Sequence, residues 1–257
     1  MSAGIVGTHS GSGRDPRSGR QDGESLAMPR DVFFAHEISF VEMAANYDRA
    51  HLGGAWMSKV EEPSPFLRPD IMQHAIDEYH ARAGIQWSFG GYLEDRTHLR
   101  RGGQFQGEIL HAGLDMNLPV GTPVRCTKGG VVHLIGDDAT SQGGWGPYVV
   151  IEVVEPKTQE KEHIMYAHLV GISAKIGERV EPNAIIGTVG TPPRNGGRWS
   201  HLHIQVIKGR YFEFSARQGL ANLHGYFRTA DKDFYATVFR DPSDLVWDPS
   251  ADIASGK

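Results

Sequence analysis

Residues 199–206 read WSHLHIQV, a short apolar run carrying two histidines one residue apart. Side chains of an extended strand point alternately to opposite faces, so His201 and His203 share a face and can converge on one ion. One ring could equally be a satisfied core histidine and the other an exposed one, since the chain holds 13 histidines. The pair needs partners, and the run needs neighbours that are also strands.

The neighbours supply them. GTPVRC (121–126), GGVVHLIG (129–136), YVVIEVVE (148–155), HIMYAHL (163–169) and AIIGTVG (184–190) are short β-type runs punctuated by glycine, at the spacing of antiparallel all-β folds. PVGTPVRCTKGGVV (119–132) and KIGERVEPNAIIGTVG (175–190) share a layout of turn glycine, valine and a further glycine leading into an apolar strand, which predicts an internal repeat of two similar hairpin units.

On either side the texture changes. FVEMAANYDRAH (40–51) and DIMQHAIDEYHARAG (70–84) carry apolar residues three and four apart and flank the Pro-rich break EEPSPFLRP (61–69), so two helices are expected, with Met43, Met72 and Ile76 as packing residues. Residues 1–30 lack periodicity and are dense in breakers, the composition of a disordered leader. From Arg210 onward YFEFSARQGLANLHGYF and KDFYATVFRDPSDLVW form an aromatic-rich tail expected to pack back on the core. The division is thus a leader (1–30), a helical extension with a connecting strand (31–104), a β core (105–210) and a C-terminal extension (211–257). The fold class is mainly β, an antiparallel sheet or sandwich with helical additions.

At 257 residues the chain can bury a sizeable core, and 39% hydrophobic with 22% charged residues is ordinary globular composition. A net charge of -5 and the lack of a basic stripe give no footprint for nucleic acid. No apolar run is long enough for a membrane span or a signal segment, so the chain as written is expected in the cytoplasm. Cys126 is the only cysteine, which excludes an internal disulfide and a thiolate cluster and leaves nitrogen and oxygen to hold any metal.

A zinc hydrolase needs about three protein ligands and an open position for water. HAGLD (111–115) offers His111 and Asp115 around Gly113, which permits a bend that could aim both groups at one point. In the order HAGLD, YAHL (166–169) and SHLHIQ (200–205), the chain resembles the lysostaphin/LytM-type zinc metallopeptidases, the twenty-third metallopeptidase family, built on the duplicated hybrid motif. DMNLPVGTPVRCTKGGVV and IGERVEPNAIIGTVG also match the family's glycine-valine stretches, and the likeness spans about residues 105–207. It implies one zinc ion bound by His111, Asp115 and His203, with the histidines His168 and His201 acting beside it. Without HExxH, a helix-borne glutamate base is not the mechanism. His36, His51, His74, His80, His98, His133, His163 and His224 stand outside the motifs and are read as surface or packing residues.

The chain also departs from the family pattern. Gly146-Pro147 replaces a glycine-asparagine pair, and proline there fits only an edge or a strand start. Val153 replaces a histidine at that strand's end, and Cys126 takes a small buried site usually held by alanine. The loop GTPPRNGGRWSHLH (190–203) is longer and more basic than usual, so Arg194, Arg198 and Trp199 are placed as a wall of the cleft. Ahead of the core, Tyr92, Glu94 and Arg96 alternate as on a strand face. They read either as a solvated face or salt bridge, or as a strand that lines or occludes the cleft.

The resemblance implies a metalloendopeptidase acting on peptides or peptidoglycan fragments. A non-catalytic family member that binds a peptide or partner is the alternative, against which all five positions are intact. A phosphohistidine or lipoyl-type carrier has no need of Asp115 and lacks a lysine at a hairpin tip.

Overall fold

The computed structural model describes residues 33–103, 107–138, 144–155, 158–217 and 224–246. The leader expected over residues 1–30 lies outside them. Helix α1 (Phe40–Tyr47) starts where the Ser39 hydroxyl accepts from the Glu42 amide at 3.2 Å, satisfying one of the orphan donors of the first turn. It continues as a π-type turn over Asp48–Leu52. Pro69 opens helix α2 (Pro69–Ala83), where its missing N–H is not needed, and Gly84 ends it at φ 67°. Met43, Ala44 and Tyr47 of α1 share a buried cluster with Met72, Ala75 and Ile76 of α2. Met43, Met72 and Ile76 each contribute roughly 1.5–3 kcal/mol by leaving water. The two expected helices are therefore present, and a single turn, α3 (Thr97–Arg100), follows them.

The rest is built from short strands: β1 (Ser88–Gly90), β2 (Ile109–His111), β3 (Leu114–Asn117), β4 (Pro123–Arg125), β5 (Gly130–Asp137), β6 (Pro147–Val154), β7 (Lys161–Ala167), β8 (Leu169–Val170), β9 (Arg179–Val180), β10 (Ile185–Val189), β11 (Leu202–Lys208), β12 (Tyr226–Arg228) and β13 (Phe239–Arg240). Two further helices, α4 (Gly209–Arg217) and α5 (Lys232–Ala236), lie in the C-terminal part. The main sheet is antiparallel in the order β1-β3-β11-β7-β6-β5-β9, with β13 also on β11. Pro147 stands at the first position of β6, the place in an interior strand where its missing N–H is tolerated.

Both faces of this sheet are covered, which is why β6 and β11 read as nearly unbroken apolar runs. One face sends Val149, Ile151, Ile164, Tyr166, Ile204 and Val206 into the main core, where they meet Cys126 and, from the small sheet β4-β10-β8, Val124, Leu169, Ile186 and Val189. The other carries Val150, Met165, Ala167 and Ile207 under Phe212 of α4 and Phe227 and Phe239 of the tail. The aromatic tail does pack back, and more than that it supplies strands: β12 pairs with β2 and β13 with β11.

The repeat departs from the expected pair of self-contained hairpins. The first copy yields β4 and β5, the second β9 and β10, yet β4 pairs with β10 and β5 with β9. Each copy thus completes itself on the other. Among the described residues no helix is long and apolar enough to cross a membrane.

Candidate metal centre

The pairing register assembles the centre. Asp115 on β3 lies directly opposite His203 on β11, which on its other side opposes Ala167 on β7, the residue before His168. His111 ends β2, and the chain crosses from β2 to β3 through Gly113. A Cβ there would lie 2.4 Å from the Ile204 carbonyl oxygen and 2.7 Å from the His203 ring, so glycine is required for close approach to β11 rather than for a bend.

Three ligand atoms converge. Asp115 Oδ1 is 3.2 Å from His111 Nε2 and 2.8 Å from His203 Nδ1, and the two nitrogens are 3.3 Å apart. Tetrahedral zinc bonded at about 2.0–2.1 Å spaces its ligand atoms by roughly 3.3 Å, so the triangle fits such an ion. The opposite ring nitrogens are tied back. His111 Nδ1 donates to the Gly91 carbonyl at 3.0 Å, and His203 Nε2 donates to Gln205 Oε1 at 3.0 Å. Rings tied back this way turn their other nitrogens toward each other and toward the carboxylate, an arrangement that could hold a cation between them.

Electrostatics agree with that geometry. Burial lowers the His111 pKa to about 4, helped by Arg96 and opposed by Asp115, so the ring is an unprotonated donor at neutral pH. Burial alone would raise the Asp115 carboxyl, but the His111, His201 and His203 rings gathered around it hold it well below the usual carboxylate range.

His168 and His201 stand together beside this triangle, their ring centroids 4.3 Å apart. His168 follows β7 at φ 66°, a left-handed turn that swings its ring back toward β11, 6.2 Å from the His203 ring. Its Nδ1 donates to the Asn195 carbonyl at 2.8 Å, and His201 Nδ1 donates to the Trp199 carbonyl at 2.9 Å. Each keeps an Nε2 lone pair, and that of His201 lies 3.5 Å from Asp115 Oδ1. Burial drives the His168 pKa well below its ordinary value and that of His201 to about 4.

All five residues singled out in the sequence are thus gathered in one place, and each is buried. The Trp145 ring sits 4.9 Å from that of His203, and Tyr226 of β12 lies 5.6 Å from His111.

Other expectations change. Tyr92, Glu94 and Arg96 do not form a strand face, for residues 92–93 make a turn and only Asp95 bridges to Leu110. Arg96 is wholly buried over the Phe40 ring, with a guanidinium nitrogen 2.8 Å from Glu94 Oε2 and another 3.4 Å from Asp115 Oδ2. The salt-bridge reading holds, but the pair is internal, not solvated. Trp199 is no cleft wall either: it is buried, stacks on His201 at 4.2 Å, donates to Asn117 Oδ1 at 2.8 Å and joins the helical cluster. Ser200 N donates to Gln73 Oε1 of α2 at 2.7 Å, so the helical extension buttresses His201. Arg198 is buried, while Arg194 is exposed and lies 3.6 Å from Asp137. Gln205 and Asn195 were missed. Gln205 had a signal, since it continues the alternation of His201 and His203; Asn195 acts through its backbone and had none.

Residues 109–213 match the profile of peptidase family M23. The L-Ala--D-Glu endopeptidase of Bacillus subtilis is 32% identical over 111 residues, covering 40% of this chain and 31% of that protein. The DD-carboxypeptidase/endopeptidase Mpg of Neisseria meningitidis is 35% identical over 97 residues, 38% of this chain and 20% of that protein. The chain therefore spans less than a third of the length of either curated relative. The solved structure of LytU is 31% identical with a TM-score of 0.33, covering 47% of this chain and 70% of that one.

Proposed function

The chain belongs to peptidase family M23 through residues 109–213, and from that premise we propose that it is a zinc-dependent metalloendopeptidase. His111, Asp115 and His203 would hold one zinc ion, with His168 and His201 as the catalytic pair. The observation that carries this is the triangle of two imidazole lone pairs and one carboxylate oxygen with edges of 2.8–3.3 Å, each ring aimed by a hydrogen bond on its far nitrogen.

A zinc ion held by these residues would supply Lewis acidity and lower the pKa of water toward neutrality. The chain's own residues supply the rest. His168 and His201, neutral at pH 7, present Nε2 lone pairs that can take a proton from the attacking water and return it to the leaving amine. The same rings, once protonated, donate to the oxyanion of the tetrahedral intermediate. The Asn195 and Trp199 carbonyls hold both in the tautomer this needs. Arg96 shares Asp115 with the centre, placing a cation 3.4 Å from its other carboxylate oxygen.

The substrate class we propose is a peptidoglycan-type peptide, supported by the activities in the names of the two curated relatives. Metal analysis of the wild-type chain beside His111→Ala and His203→Ala, with digestion of wall-type peptides followed by mass spectrometry, tests both parts. A metal content undiminished from wild type in both variants would defeat the ligand assignment.

A further inference from the structure

The geometry points to a second metal site, formed by His133, Glu152 and His163, that takes a divalent transition cation of the zinc class. The register explains the cluster. Ile207 of β11 opposes His163 on β7 as His203 opposes Ala167, so His163 lies on the same sheet face as the first centre, four residues or about 13 Å along the strand. Glu152 on β6 is directly opposite His163. On β5 the register shifts between Val132 and Leu134, so His133 is the extra residue of a bulge, a device that re-aims a side chain.

Candidate ligand atoms of the three residues lie within 4.8 Å of one another. Glu152 Oε2 is 3.5 Å from His163 Nε2 and 3.7 Å from His133 Nδ1, close to the roughly 3.3 Å edge of a tetrahedral zinc site. His163 is wholly buried, stacked on Phe212 at 4.1 Å, and neither of its ring nitrogens has a hydrogen bond. A buried imidazole ordinarily has a partner, and an uncompensated one is costly, so a ligand for Nε2 is what the site lacks. Two nitrogens and one oxygen suit zinc, nickel or cobalt rather than magnesium or calcium. The His133 side chain is 41% exposed, which gives an ion a way in. Lys161 Nζ lies 3.1 Å from the same Glu152 oxygen on a side chain that is 48% exposed, and it must swing into solvent when a cation binds.

The full chain, stripped with chelator, is titrated with Zn2+ and its bound metal counted after gel filtration, with circular dichroism to check folding. His133→Ala and Glu152→Gln, both at partly exposed positions, are expected to bind one equivalent fewer than wild type. His203→Ala loses a different equivalent, and the His133→Ala/His203→Ala double variant binds none. If the first centre held no zinc, His203→Ala would match wild type while His133→Ala still lost its ion, so the two readings fail separately. Lys161→Met is expected to tighten the second equivalent several-fold. Unchanged stoichiometry in both His133→Ala and Glu152→Gln, or weaker binding in Lys161→Met, would overturn the inference.

Discussion

Two clusters of two histidines and one acidic residue share a face of the same sheet, and they differ in how their rings are held. At His111, Asp115 and His203 the far nitrogen of each ring is anchored, to the Gly91 carbonyl and to Gln205. At His133, Glu152 and His163 the inner ring is held by packing, stacked on Phe212 and edge-on to His133, and a lysine contends for the carboxylate. If both proposed sites hold metal, similar ligand atoms would therefore give two grades of site. Where hydrogen bonds pre-set the rings, an ion meets little reorganisation and geometry strict enough for chemistry; where packing alone does so, the ion itself must complete the order.

The most severe way to break the contrast is to remove a ligand of the first centre. His203→Ala or His111→Ala is expected to lower peptide hydrolysis and zinc affinity beyond the ~100-fold that loss of an outer hydrogen-bond partner costs, measured as kcat/KM and by competition with a chelator. Next comes Arg96→Ala, which leaves Glu94 and Asp115 as buried carboxylates without their cation. Urea unfolding should show it less stable by about 3–5 kcal/mol. Gln205→Leu tests the anchoring itself: zinc affinity should fall ~10–100-fold in the first centre, with the second equivalent untouched, as read by calorimetry.

The smallest effect sharpens the other side of the comparison. His163 has a pKa lowered in the fold, so the unfolded chain binds its proton first, and stability falls as pH drops through the window from about 6.5 to about 4. In chelator, the wild-type chain should lose on the order of 1 kcal/mol more than His163→Phe between pH 7 and pH 5. An identical pH profile for the two chains would contradict the burial argument.

The convergence of His111, Asp115, His168, His201 and His203 was legible because they stand in short, ordered motifs, and the alternation in HLHIQ even contained Gln205. The two N-terminal helices and most of the core strands were legible for a similar reason: their patterns are local. Arg96 was seen only as part of a polar alternation, since nothing nearby in the chain announces that it will be buried against Asp115, 19 positions on. His133 and His163 are 30 positions apart and meet only through the β5-β6-β7 register and one bulge. The exchanged pairing of the repeat was hidden likewise: glycine-valine spacing marks where strands fall, and only the three-dimensional closure decides which edge each one finds.

That exchange bears on how the protein is made. While the chain emerges from the ribosome, β4 has no mate until residues near 185–189 have been synthesised, some sixty positions later. A nascent chain halted earlier would leave the backbone of β4 and the inward-facing Val124 without their partner strand, an open edge of the kind that recruits other chains, so protection from aggregation waits on that late segment.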